Sequence, residues 1–392
     1  MRFKNLVLIT AAVVVLVWNA LLNAQSTSKI DGVAFADYYY NVNNNLSAEQ
    51  DRNAFTLRRF YFTFENNISS DLKIRFRLES EHDKYGSSTK INPFVKHAYL
   101  EWSNLISRHK LYLGIAETNA FKNSEDYWGY RSVEKTIMDL KKISSSADMG
   151  LAIKGDLMGD LIHHWLTVFN GAGYGSSEVD RFKKIGYAFW VTPVKGLILE
   201  GYADYENQDP TGAQTASNLS SAKDYVAAEG YRTMKGFIGY STSQFTIGTE
   251  AFWRTNEKSG VKNVSMAHDD DTGDYSITSS ISADVKRFGY SAFGSVMTPI
   301  SNLKVFARYD FFDNNTDDEV FTKFDKNTGA LSGGKDDEFT QVFLGLDYVP
   351  QKNVHIMPNI VLKNYQKEGK DSDLMGRITM NFNFNSGKII TE

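Results

Sequence analysis

The sequence predicts an all-β fold, a 16-stranded antiparallel transmembrane β-barrel with short periplasmic turns and long extracellular loops. Three observations predict it: segments in which apolar and polar residues alternate, connections that are alternately short and long, and an apolar amino terminus typical of export. The alternation is strictest in DLKIRFRLE (71–79), where a strand would put the apolar residues on one face and the charged residues on the other.

Segments with a period of two residues, bounded by turn residues, are predicted to be the strands of the barrel. They are 32–42, 54–66, 71–81, 92–103, 109–119, 147–157, 161–172, 181–192, 197–206, 229–241, 244–255, 285–297, 302–313, 338–349, 353–366 and 373–385. Every second connection is a short turn such as NISS, MGD or PVKG. The longer connections between them include 120–146, 207–228, 256–284 and 314–337. This pattern is typical of outer-membrane barrels, whose turns are short at one rim only.

Residues 1–24 are predicted to be a signal peptide, because basic Arg2 and Lys4 precede an apolar run that ends in small Ala24. An uncleaved anchor helix is the alternative, but the polar residues 25–29 lack the basic flank that an anchor has. Residues 25–392 are then one barrel domain, since no linker divides them. The absence of cysteine excludes disulfides, and a net charge of -4 gives no reason to expect nucleic acid as a partner.

The basic face of 71–79 indicates which surface of the barrel contacts water and which contacts lipid. A Lys or Arg that faces lipid costs about 2–4 kcal/mol at the bilayer midplane, so three on one face must line water. About sixteen strands enclose an aqueous channel, and a basic wall along it attracts anions. The residues predicted to line the pore and attract anions are Arg59, Lys73, Arg75, Arg77, Lys154, Arg308 and Arg377.

Carboxylates are predicted to face the same lumen and could neutralise these cations by pairing with them. They are Glu65, Glu79, Glu101, Glu117, Glu200, Asp204, Glu250 and Asp347. The sequence therefore leaves open whether the channel prefers anions.

The stretch NAFTLRRFYFTFENNISSDLKIRFRLE (53–79), followed by VKHAYLEW, KLYLGIAETNAF and DMGLAIKG, resembles the bacterial phosphate-selective porin O and P family. The resemblance implies an outer-membrane homotrimer whose solutes pass basic residues on the wall and on an inward-folded third loop. The matching positions here are Arg58, Arg59, the basic face of 71–79 and the segment 120–146.

The segment 120–146 is thus a candidate inward-folded constriction loop. Within it, YRSVEKTIMDLKK predicts a helix with Val133, Ile137 and Leu140 on one face, so a solvated surface helix is the alternative. The basic residues that the segment would bring to a constriction are Arg131, Lys135, Lys141 and Lys142.

These observations predict a porin in the bacterial outer membrane, in contact with its lipid and lipopolysaccharide, for passive diffusion of small hydrophilic solutes or anions such as phosphate. The alternative is a receptor or adhesin barrel that binds partners through its loops and has no open pore. No enzyme, cofactor or metal is predicted: the nucleophile-elbow and HExxH motifs are absent, and His163 and His164 point to opposite faces of one strand. The acidic runs HDDDTGD and DNNTDDE lack the full calcium-loop signature, so solvated loops are the simpler interpretation.

Overall fold

Sixteen antiparallel strands close into a single barrel in the computed structural model, which describes residues 26–81, 92–178, 181–208, 228–325, 327–333, 338–367 and 369–391. The first strand pairs with the second and also with the last, which closes the sheet. The predicted all-β, 16-stranded barrel is therefore confirmed. The predicted signal peptide, residues 1–24, lies outside the described residues, as does most of the predicted connection 207–228.

The barrel strands are β1 (Ser26–Asn43), β2 (Asn53–Asn67), β3 (Leu72–Glu81), β4 (Pro93–Ser103), β5 (His109–Glu117), β6 (Ala147–Asp156), β7 (Ile162–Phe169), β8 (Lys184–Val191), β9 (Leu197–Asn207), β10 (Gly230–Ser241), β11 (Phe245–His268), β12 (Tyr275–Met297), β13 (Leu303–Asp313), β16 (Phe339–Gln351), β17 (Val354–Tyr365) and β18 (Asp373–Thr391). A separate small hairpin consists of β14 (Lys323–Asp325) and β15 (Ala330–Ser332). The described helical segments are a 3₁₀ turn (Ser47–Glu49), α1 (Lys122–Trp128) and α2 (Ile137–Leu140). Within the described ranges, no helix combines the length and the apolar composition needed to cross a membrane.

Every predicted strand segment overlaps an observed strand, but one predicted long connection is wrong. The segment 256–284 is mostly the outer part of a hairpin, because β11 continues to His268 and β12 begins at Tyr275. Three register shifts, after Asn256, Lys262 and Ser265, interrupt the regular alternation there, which is why the sequence pattern breaks while the pairing continues. β18 also runs to Thr391, beyond the predicted end at 385, and its last residues pair with the start of β1.

The two rims of the barrel differ in their connections. One rim carries the turns 68–71, 104–108, 157–161, 192–196, 242–244, 298–302 and 352–353, and the start of β1 and the end of β18 meet there. We call it the short-turn rim and the opposite one the long-loop rim. The long-loop rim carries 118–146, 170–183 and the hairpin of β14 and β15.

The outer surface of the barrel is apolar, whereas the buried inner surface carries both charged and aromatic side chains. Along β8, β9 and β10 every second residue is buried, and the exposed positions between them include Ile185, Phe189, Leu199 and Ile238. A water-soluble barrel would have the reverse arrangement, whereas an apolar outer band suits contact with lipid.

Candidate functional site

The inner loop, which we define as residues 120–146, folds into the barrel and packs against its wall. Trp128 makes ring contacts with Phe293 and Phe306, at centroid distances of 5.5 and 6.1 Å, and Tyr130 stacks on Phe306 at 4.4 Å. Val133 is fully buried in the same apolar cluster. These residues of the loop therefore pack against inward-facing side chains of the wall.

Arginines from several strands hold the backbone of the inner loop. Arg58 on β2 and Arg377 on β18 both donate to the Val133 carbonyl, at 2.9 and 2.8 Å. On the far side of the barrel, Arg308 of β13 donates to the Lys135 carbonyl and Arg254 of β11 donates to the Ile143 carbonyl. The carbonyls that accept these bonds lie outside the two short helices of the loop, so the wall arginines satisfy acceptors that have no helical partner.

The helix predicted in YRSVEKTIMDLKK is accordingly wrong in its extent. Only Ile137–Leu140 is helical, and Val133 lies in an irregular stretch before it. A second helix, α1, lies earlier in the loop and ends at Gly129, whose φ of 69° is in the left-handed region that glycine tolerates.

Two β-bulges each turn a pair of consecutive polar residues towards the lumen. The pairing of β1 with β2 shifts between Phe35 and Ala36 and leaves Arg58 as an extra residue beside Arg59. The pairing of β3 with β4 shifts after Arg77 and leaves Lys96 as an extra residue beside His97. Such an insertion reorients the residues of one strand locally.

Strict alternation would have sent one member of each of these pairs to the outer face. The sequence prediction therefore omitted Arg58 from the pore-lining residues, and it omitted Lys96. The signal that could have found them was the doublet itself, since a basic residue on the lipid side is costly.

The basic face of β3 lines the lumen but is largely neutralised. Lys73 pairs with Glu101 at 2.9 Å, and the same carboxylate binds Lys110 at 2.8 Å. Arg75 lies 3.2 Å from Glu65. Arg77 instead donates to Thr63 at 2.8 Å, and within the described part of the chain it has no ion pair.

Most of the other predicted wall cations also have partners. Arg59 lies 3.0 Å from Glu79 and 2.6 Å from Glu81. Arg308 binds Asp310 through two hydrogen bonds of 2.8 and 2.6 Å and is 2% exposed, so it lies beneath the loop and is not on the open wall.

Arg377 and Lys154 contact uncharged groups of the protein. Beside its bond to the loop, Arg377 donates to Asn359 at 3.0 Å. The Lys154 ammonium lies 4.4 Å from the centre of the Trp165 ring and 5.4 Å from that of Trp190.

Three of the predicted carboxylates pair in the same way on the far wall. Glu200 lies 3.1 Å from Lys235, and Asp204 lies 2.9 Å from Lys184. Asp347 contacts His355 at 2.8 Å. The lumen is therefore lined by alternating, paired charges, and its electrostatics depend on the cations and anions left over.

The inner loop separates two polar compartments of the lumen. The compartment towards the long-loop rim has a volume of about 270 Å³ and is lined by six basic and four acidic side chains. They are Arg58, Arg59, Arg131, Lys135, Lys142, Arg377, Asp37, Glu81, Glu134 and Asp139. The compartment towards the short-turn rim has about 330 Å³, and its lining includes Asp126, Asp347, Lys304 and His355. We call them the outer and inner compartments.

The four predicted basic residues of the loop have different environments. Arg131 bonds to Glu125 and, at 2.7 Å, to Asp139. Burial alone would raise the pKa of Asp139, but the charges of Arg131, Lys135 and Lys96 and the hydrogen bond from Arg131 together outweigh it, so the pKa lies below its ordinary value. Lys135 and Lys142 line the outer compartment, and within the described residues neither has a carboxylate at ion-pair distance.

Lys141 is the fourth, and its ammonium lies 3.8 Å from the centre of the Phe339 ring. Burial, reinforced by the charge of Lys363, lowers the pKa of Lys141 to about 8. The charge of this loop residue therefore changes in a pH range where ordinary lysines stay protonated.

Comparison with known proteins finds similarity of structure but not of sequence. No family model and no curated protein matches the chain. The anion-selective porin from Comamonas acidovorans is similar with a TM-score of 0.59 and 12% identity, over 92% of this chain and 100% of that one.

Two further solved structures extend this likeness. The outer membrane channel DcaP of Acinetobacter baumannii gives a TM-score of 0.56 at 12% identity, covering 92% and 98% of the two chains. OmpF of Salmonella typhi, in a complex with daunomycin, gives 0.55 at 11% identity over 91% and 97%. At this identity the likeness establishes that the barrel has the fold of these channels. The resemblance to the phosphate-selective porin family is not confirmed.

Proposed function

We propose that the protein is an outer-membrane porin through which small hydrophilic solutes diffuse passively. The observation that carries the proposal is a barrel that is apolar outside and lined inside by ion pairs around two polar compartments. Polar inward side chains solvate a water-filled path, and the apolar band matches lipid.

The same proposal gives the protein its place and orientation. Residues 1–24 serve as an export signal, the short-turn rim faces the periplasm, and the long-loop rim faces outward to lipopolysaccharide. By the resemblance to the phosphate-selective family, the barrels assemble as homotrimers. Cross-linking of the protein in its native membrane tests the assembly, and a ladder that ends at the dimer or monomer contradicts it.

We further propose a modest preference for anions, with phosphate among the solutes, that originates in the outer compartment and not on β3. Its lining has an excess of basic side chains, whereas Lys73 and Arg75 face carboxylates. Charges in a narrow, partly desolvated passage act strongly on passing ions. Lys135 and Lys142 are the cations that we expect to contribute most.

Reversal potentials across planar bilayers under a salt gradient test this assignment. The double variant Lys135→Gln/Lys142→Gln should lose most of the anion preference, while Lys73→Gln/Arg75→Gln, which removes the same formal charge from paired positions, should lose less. A wild-type preference for cations, or an equal loss in both variants, would refute the assignment. Phosphate, chloride and a neutral sugar as competing permeants then define the range of solutes.

A receptor barrel without an open pore is the second candidate. It is favoured by the inner loop, which is bonded to Arg58 and Arg377 on one side of the lumen and packed on Phe306 on the other. The measurement that separates the two is single-channel conductance of the purified protein. A complete absence of conductance over a range of voltages would support the receptor and refute the porin.

A further inference from the structure

Two histidines meet on the outer face of the barrel at the short-turn rim. His109 of β5 is directly opposite Gly155 of β6, and Gly155 is directly opposite His164 of β7. The two imidazoles reach over the glycine, and their Nε2 atoms lie 2.9 Å apart. The pair is separate from the lumen and from the inner loop.

Glycine at position 155 makes this arrangement possible. A Cβ atom built there would lie 2.3 Å from Cδ2 and 2.5 Å from Cγ of His109. Any other residue would therefore displace the ring from its position above the strand. The three positions form one unit in which the small residue between the histidines creates the space for their contact.

The hydrogen bonds fix where the protons are. Nδ1 of His109 lies 2.7 Å from the Ser107 carbonyl oxygen, which can only accept, so this nitrogen carries a hydrogen. In a neutral ring Nε2 of His109 is then a bare acceptor, and the proton between the two Nε2 atoms belongs to His164. This contact with a carbonyl is also how proteins orient a metal-binding histidine.

We propose that His109 and His164 form a binding site for a divalent transition-metal ion of the Cu²⁺ or Ni²⁺ type. With metal–nitrogen bonds of about 2.0–2.1 Å, nitrogens 2.9 Å apart subtend an angle of about 90° at the metal. That angle joins neighbouring ligand positions of a square-planar or octahedral ion, the geometries of Cu²⁺ and Ni²⁺. A tetrahedral ion would need the nitrogens about 0.4 Å further apart.

Binding requires one proton to move and no other reactant. The metal takes the place of the proton between the rings, and His164 becomes protonated on Nδ1 instead of Nε2 by exchange with water. Both rings remain neutral, and each donates the Nε2 lone pair to the metal. Water occupies the remaining positions, because no group of three or more potential metal-ligating residues gathers anywhere in the described ranges.

Titration of the folded, full-length protein in detergent with Cu²⁺ tests the site, followed by calorimetry and by electron paramagnetic resonance. We expect one bound equivalent with a spectrum of two equatorial imidazole nitrogens. In His164→Gln the affinity of this equivalent should fall by more than about tenfold and the two-nitrogen signature should disappear.

The neighbouring His163 provides a matched control. It faces the other side of β7, where its Nδ1 contacts Asp156 at 2.6 Å, so His163→Gln should leave the signature unchanged. A second variant, Gly155→Ala, keeps both histidines but displaces the His109 ring, and it should also lose the two-nitrogen spectrum while the barrel remains folded. An unchanged signature in His164→Gln, or an equal loss in His163→Gln, would overturn the proposal.

Discussion

The two sides of the lumen hold the inner loop by different chemistry. The aromatic wall (Phe237, Phe252, Phe293, Phe306 and Phe343) buries the loop in an apolar cluster, and Arg308 and Arg254 on the same strands add hydrogen bonds to loop carbonyls. The arginine wall (Arg58 and Arg377) reaches the loop through hydrogen bonds to a single carbonyl, that of Val133. Apolar packing excludes water and anchors the loop, while the arginine bonds adjoin the outer compartment and compete with water.

This difference indicates which contact can open. Loss of the aromatic packing should free the loop altogether, whereas loss of the arginine bonds should detach one edge of it and widen the passage along that wall.

The Trp128→Ala substitution should release the inner loop. Trp128 is 2% exposed and contacts the rings of Phe293 and Phe306. Truncation of a buried tryptophan costs about 3–5 kcal/mol, and this loss falls on the packing that anchors the loop to the aromatic wall. We expect protease cleavage within 120–146 and large current fluctuations in single-channel records, while the barrel itself stays folded.

Trp253→Ala is the control, because Trp253 is 54% exposed on the outer face. It should leave cleavage and current steady. If Trp128→Ala behaved like Trp253→Ala, the aromatic wall would not be what anchors the loop.

The double substitution Arg58→Gln/Arg377→Gln should raise the open-channel conductance while the loop remains protected from protease. Each arginine contributes a charge-assisted hydrogen bond to the Val133 carbonyl, worth about 1.5–3 kcal/mol. Without them we expect this edge of the loop to move away from β2 and β18.

Arg232→Gln removes an arginine that is paired with Glu257 and exposed, and it serves as the control. Protease cleavage in the double variant as extensive as in Trp128→Ala would mean that both walls anchor the loop equally.

The sequence predicted the regular strands of the barrel but not the bulges that orient some lumen residues. Alternation over β8 to β10 predicts the barrel because each side chain there follows the period of two, and the pairing repeats it. The bulges that turn Arg58 and Lys96 inward break that period. A bulge is defined by two residues of one strand that lie opposite one residue of its partner, so the sequence of one strand alone does not reveal it.

The partners of the wall charges depend on three-dimensional register as well. Lys73 and Glu101 become cross-strand neighbours only through the pairing of β3 with β4. The helix of the inner loop was predicted too long, because local periodicity contains no information about donors such as Arg377 on a distant strand.

Glu101→Gln should increase the anion preference of the channel. One carboxylate neutralises both Lys73 and Lys110, so its loss leaves two unpaired ammonium groups on the wall. We expect a rise in the anion-to-cation permeability ratio of roughly twofold at low salt, and less at high salt because of screening. Glu49→Gln, at an ion pair outside the barrel strands, should change nothing. An unchanged ratio in Glu101→Gln would show that ions do not pass this part of the wall.

The smallest expected effect is a dependence of selectivity on pH that comes from Lys141. Burial against the aromatic rings lowers its pKa to about 8, so the loop carries this charge at pH 6 and loses it by pH 10, while exposed lysines remain charged. The anion preference should therefore decrease as the pH rises through about 8.

The stability of the docked loop should change in the opposite sense. Between the folded pKa of about 8 and the ordinary value of 10.5 the unfolded state binds more protons, so stability rises with pH in that window. Lys141→Met should abolish the step in reversal potential near pH 8, whereas Lys142→Met, at an exposed neighbour, should lower the preference at every pH and keep the step. A step that persists in Lys141→Met would assign the titration to another group.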